Sequence, residues 1–124
     1  MMEIGQKLLA IAAGVFGATG IILSAVAAHL EPSPALQSAS LILLVHAPAI
    51  IAILVAVRTG VMPQIGGLLG LTALVIGAFL FSGDLTLRIF VGNPLFPLAA
   101  PTGGILLIAG WAILAVSGIF LRKA

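Results

Sequence analysis

The sequence has no cysteine and very little charge. Without cysteine there can be no disulfide framework, thiolate nucleophile or thiolate-held iron–sulfur cluster. Charged residues are 6% of the 124 positions, where a soluble domain carries about a quarter, so there is too little polar side chain to cover a globule in water. Period-two alternation is also missing, which argues against the strands of a membrane barrel. No Ser/His/Asp spacing, glycine-rich phosphate cradle or paired carboxylates occur, so catalysis is poorly supplied and the chain is not expected to be an enzyme. The basic residues Lys7, Arg58, Arg88, Arg122 and Lys123 are scattered and make no patch for nucleic acid.

What is present is hydrocarbon. Apolar residues are 62% of the chain and the mean hydropathy is +1.38. In lipid an unpaired backbone group is too costly, so a chain without barrel patterning must cross as helices. The charges delimit uncharged runs at Leu8 to Leu30, Pro32 to Val57, Thr59 to Gly83 and Ile89 to Leu121, each longer than the roughly 20 residues that a span requires. The last run contains "GNPLFPLAAPTGG", whose prolines and glycines forbid one continuous helix, so its span is expected to begin near Thr102. The expected fold is an all-α integral membrane four-helix bundle, a single domain over 1–124, with spans at about 5–30, 35–57, 63–82 and 102–121. A partial helical turn is allowed through "DLTLRIF". Short connections make sequential helices antiparallel, in up-down topology.

An even number of spans puts both termini on one side. That side collects Lys7, Arg58, Arg122 and Lys123, while the other receives only Arg88, so the termini are expected in the cytoplasm. The small residues of "SAVAAH" at Ser24 to His29 resemble a signal-peptide cleavage site. The apolar region before them is longer than a signal requires, and Glu3 stands beside Lys7 in its leading segment, so the first span is expected to be retained.

Helices in lipid associate through close backbone approach and van der Waals contact, which small residues permit. The expected packing positions are Gly17 in the first span, Gly66 and Gly70 as a GxxxG pair in the third, and Gly103, Gly104 and Gly110 in the fourth. Surfaces left over would serve membrane lipids, a homo-oligomer or a larger membrane complex.

The few polar groups stand out against this background. His46 is about 16 Å into the second span at 1.5 Å per residue, near the midplane, where an ionisable side chain normally faces the protein interior and is a functional candidate. Pro48 removes the hydrogen bond to the Leu44 carbonyl and can bend the helix. Trp111 lies at similar depth in the fourth span. An indole donates only, and a neutral imidazole offers an acceptor, so contact between the two rings is expected. His29, Glu31, Asp84, Arg88, Asn93 and Thr102 gather at the opposite end from the termini, with Asp84 and Arg88 spaced to pair on one helical turn. Such a gathering suits either a lipid headgroup site or a polar rim of caps and surface pairs. His29 is near the surface and His46 is deep, so the two cannot share one iron, and no cofactor or metal is expected.

The run "LFSGDLTLRIFVG" at Leu80 to Gly92, followed by "APTGGILLIAGWAILAV" at Ala100 to Val116, resembles the small four-helix membrane family known as domain of unknown function 423. The matching features are Phe81, Ser82 and Gly83, then Pro101, Gly103 and Gly104, then Gly110 and Trp111. The "GVFGATG" of Gly14 to Gly20 is similar to the family's glycine-rich first helix, and His46 stands where a histidine–alanine pair occurs in its second. The family's first-helix histidine directly follows the glycine-rich segment. Here Ala18 and Thr19 occupy that place, so His29 is not its counterpart. The resemblance implies a multi-pass protein of the bacterial inner (plasma) membrane with no established activity. Function is then expected to be that of a non-enzymatic accessory or assembly subunit, or alternatively of a small transporter or lipid-binding protein using His46 and the outer polar cluster.

Overall fold

A computed structural model describes residues 2–30 and 32–123. They form four helices, α1 (Met2–His29), α2 (Pro34–Arg58), α3 (Gln64–Phe90) and α4 (Ala99–Gly118). Each is long and apolar enough to cross a membrane, and the chain is a multi-pass membrane protein. Local chemistry explains most of the ends. The Ser33 hydroxyl accepts the N–H of Leu36 at 3.4 Å, and Pro34 occupies the first helical position, where no N–H is needed. Gly60, with φ of 80°, turns the chain after α2.

The third helix runs on to Phe90, eight residues beyond its expected end at Ser82. Nothing in "SGDLTLRIF" stops it. Asp84 and Arg88 pair one turn apart, and the Thr86 hydroxyl donates to the Ser82 carbonyl at 2.7 Å. The first true breaker is Gly92, with φ of 85°. The fourth helix starts at Ala99 rather than near Thr102, because Pro101 falls in its first turn and is tolerated there. It ends at Gly118, short of Leu121.

Named contacts fix the antiparallel register. Gln6 meets Arg58 and Gly17 meets Ala47, Ser82 bonds Ala39, and Gly70 faces Gly110. The helices pack in chain order, α1 on α2, α2 on α3 and α3 on α4, with α1 reaching α3 at a few points. Among the described residues α1 and α4 do not pack on each other, so the bundle is open along one edge. Leu36, Ile50, Leu71 and Leu74 are fully buried between the helices, while Ile11, Ile22, Leu69, Phe79, Ile105 and Ile108 point outward. An apolar exterior of this extent fits lipid as the surrounding solvent.

Close approach is concentrated in the α3–α4 seam. A Cβ on Gly103 would lie 2.5 Å from the Phe81 amide nitrogen and 2.7 Å from the Gly77 carbonyl oxygen. One on Gly110 would lie 3.0 Å from the Gly70 carbonyl oxygen, and one on Gly70 3.1 Å from that of Gly110. Gly66 stands against Ser117, and Gly17 has Ala47 at an ordinary 3.7 Å. Gly104 is not part of the crossing, since its nearest neighbour is the Phe81 ring at 4.0 Å. Gly77 does belong to it, since a Cβ there would lie 2.8 Å from the Gly103 carbonyl oxygen, although it falls outside the GxxxG pair. The signal that finds it is a spacing of seven, Gly70 and Gly77 on one helix against Gly103, Gly110 and Ser117 on the other.

Candidate functional site

Two polar constellations stand on this scaffold. The first is at the midplane. His46 lies halfway along α2 and is buried, while Trp111 on α4 is partly open to the surroundings. The indole N–H donates to His46 Nε2 at 3.1 Å, with ring centroids 5.8 Å apart and the planes tilted by 54°. Because an indole only donates, Nε2 must be the acceptor and Nδ1 carries the proton. That proton is directed at the Ile42 carbonyl, one turn back, at 2.7 Å. Both ring nitrogens are therefore occupied, and the imidazole is neutral in this tautomer. The bond joins α2 to α4, whose backbones do not approach each other, so it spans the intervening α3.

The second is near the end where α3 meets α4. Asp84 is fully buried, and its carboxylate accepts the Leu95 N–H at 2.9 Å, the Ala100 N–H at 3.2 Å and the Arg88 Nε at 3.0 Å. Ala100 is in the first turn of α4. The residue before that helix, Leu98, is left-handed with φ of 66° and supplies no side-chain cap. Asp84 thus provides from α3 the anionic cap that α4 lacks, and pins the connecting loop at Leu95. Arg88 is half-exposed, with its Nε turned inward.

The remaining expected groups do not join this centre. His29 is exposed at the end of α1 and makes no side-chain hydrogen bond among the described residues; the same holds for Asn93 and Thr102. Glu31 lies outside the described residues. No group of three potential metal ligands occurs among the described residues.

Two hydroxyls complete the internal polar network. Ser40 donates to the Gly20 carbonyl at 2.8 Å, tying α2 to α1, and Ser82 donates to the Ala39 carbonyl at 2.9 Å, tying α3 to α2. Among the described residues no buried side-chain nitrogen or oxygen lacks a partner. Three grooves of about 330 Å³ each lie on the bundle, between α1 and α3 at two levels and between α1 and α2; none is lined by His46, Asp84 or Arg88. Neither the capping role of Asp84 nor the grooves were found by sequence reasoning. The missing signal for the cap was negative, a helix start without Ser, Thr, Asp or Asn before it.

The family described as Protein of unknown function (DUF423) matches residues 13–104, about three quarters of the chain. The chain belongs to this family. The DUF423 match takes in the glycine-rich segment of α1, His46, Asp84 with its partners Leu95 and Ala100, and the turn at Pro101 to Gly104. It ends before Gly110 and Trp111, so the donor to His46 lies outside it. No curated protein and no solved structure matches the chain.

Proposed function

We propose that this protein is a non-enzymatic accessory or assembly subunit of a bacterial inner (plasma) membrane, acting through helix contacts, with both termini in the cytoplasm. The observation that carries the reading is where the buried polar groups are spent. His46, Ser40, Ser82 and Asp84 each hold one piece of the chain to another; Ser40 and Ser82 border grooves but spend their hydroxyls on backbone carbonyls, and neither His46 nor Asp84 lines one. A transporter needs polar groups that can be released to a cargo along a path. Here Leu74 and Ala78, which precede Asp84 on α3, are fully buried in the core. Among the described residues the outer faces of α1 and α4 find no helix to pack on, and they are the surfaces such a subunit would offer to a partner or to a second copy.

The test is migration after extraction into native nanodiscs, which preserves lateral contacts. The expected result is a species larger than one chain, reduced to the single chain when Ile108 on α4 or Ile11 on α1 is replaced by tryptophan, which blocks close helix approach. Migration as a lone chain in the wild type would leave the accessory role without support. A second reading, lipid or solute handling through His46 and the outer polar cluster, would be favoured by a ligand whose retention depends on His46.

A further inference from the structure

The groove between α1 and α3 has a length and a position that suggest an occupant. Its α1 wall runs from Val15 to Leu23 and its α3 wall from Phe79 to Leu87, each nine residues, or about 12 Å from first to last at the helical rise. Val15 is halfway along α1, so the groove begins at the midplane and extends toward the loops. A bilayer core about 30 Å thick gives each leaflet about 15 Å. The groove therefore covers most of the hydrocarbon depth of one leaflet and is in register with it.

Its chemistry agrees. Leu43 of α2 forms the floor and Leu95 lines the loop end. The Ser82 and Thr86 hydroxyls that border it are turned away onto the carbonyls of Ala39 and Ser82, leaving an apolar surface. The loop end is also held in place, because the Leu95 N–H is bound to the buried Asp84. A second, shorter notch between the same helices, lined by Leu9 and Thr72, lies in the opposite leaflet and is separate from the first. A partner helix crosses both leaflets and would need one continuous trough. Two notches, one to a leaflet, suit chains that end at the midplane.

We infer that the α1–α3 groove is a binding site for one acyl chain of a membrane phospholipid, held as a resident lipid rather than exchanged with the surrounding shell. The inference needs only the membrane setting and is independent of the accessory role.

The experiment is native mass spectrometry of the full chain, reconstituted with phosphatidylethanolamine and phosphatidylglycerol and then exchanged into a delipidating detergent. The wild type is expected to keep a peak at the mass of the chain plus a single phospholipid. Gly83→Leu and Thr19→Phe, which fill the groove from opposite walls, are expected to lose that peak, whereas Ile105→Phe on the outer face of α4 keeps it. Should one groove variant fail to fold by circular dichroism, the other carries the comparison. A phospholipid with a photoreactive chain, incorporated in the same vesicles, supplies a readout on the unmodified protein. Adducts are expected at Val15 and Phe79 in excess over Ile105. A wild type without retained lipid, equal retention in a folded groove variant, or adducts spread evenly over the exposed surface would overturn the site.

Discussion

The carboxylate of Asp84 accepts the N–H of Ala100 at 3.2 Å, so the cap of α4 is supplied by a residue sixteen positions upstream in α3. The same carboxylate holds Leu95 and Arg88. One buried side chain thus fixes the start of a helix and the loop leading to it. Loss of a buried, charged acceptor leaves two amides without partners, so Asp84→Ala is expected to cost about 2 to 4 kcal/mol. Asp84→Asn keeps one acceptor oxygen and should cost less. Denaturant unfolding in detergent ranks the two, and hydrogen exchange should accelerate at Leu95 and Ala100 in the alanine variant. An Asp84→Ala protein as stable as the wild type would show that the cap contributes nothing.

The Trp111–His46 bond is the polar link between α2 and α4, and it sits at the midplane. Interhelical hydrogen bonds in membranes are worth about 0.6 kcal/mol on average and about 1.7 at most, because the unfolded chain in lipid also finds partners. A double-mutant cycle of His46→Ala with Trp111→Phe should return a coupling in that range. Trp111 is the chain's one tryptophan, so its fluorescence reports the bond directly. His46→Leu is expected to shift the emission to shorter wavelength. An unchanged spectrum together with zero coupling would mean that the rings merely touch.

The glycines of the α3–α4 seam divide by what a methyl group would meet. At Gly103 and Gly77 it would meet backbone atoms of the facing helix, which cannot move without separating the helices. Alanine at either site is expected to destabilise by about 1 to 3 kcal/mol. At Gly66 the obstacle is the Ser117 side chain, whose hydroxyl can rotate away while its Cβ stays 3.2 Å off, so Gly66→Ala should cost less. Gly14 has nothing within 4 Å, and alanine there should be neutral or slightly stabilising. Thermal unfolding of the four variants in one detergent tests the order. Equal effects at Gly14 and Gly103 would contradict the seam.

These contrasts also show what a sequence of this kind reveals. Hydrophobic runs and proline positions are local signals, and they gave four helices, their order and the shared depth of His46 and Trp111 correctly. The extension of α3 past Ser82 was missed because Asp84 and Arg88 resemble the end of a span when read as charges. Within the bundle, Asp84 is neutralised by Arg88 and two amides and lies fully buried. That environment depends on a loop eleven residues away, so no local pattern contains it. The groove between α1 and α3 is likewise a property of two helices that are not neighbours in sequence.

Orientation rests on charge placement, which the fold makes concrete. Arg58 donates to Gln6 at 2.9 Å, and the Arg122 N–H bonds the Val61 carbonyl at 2.9 Å, which brings the ends of α1, α2 and α4 together with Lys7 and Lys123 nearby. Arg88 is alone at the other end, with its charge already answered by Asp84. The positive-inside bias is thus four basic residues at the end that carries the termini against one at the other. The absence of cysteine makes the test direct, since a single introduced thiol is unambiguous. In intact cells, Leu30→Cys and Leu98→Cys are expected to react with a membrane-impermeant maleimide, while Thr59→Cys and Lys123→Cys should react only after lysis. Both side chains at the α1–α2 and α3–α4 connections are exposed, so failure to label them would reflect sidedness rather than burial. The reverse pattern would place the termini outside, and Arg88 would then be the residue retained in the cytoplasm against the charge rule.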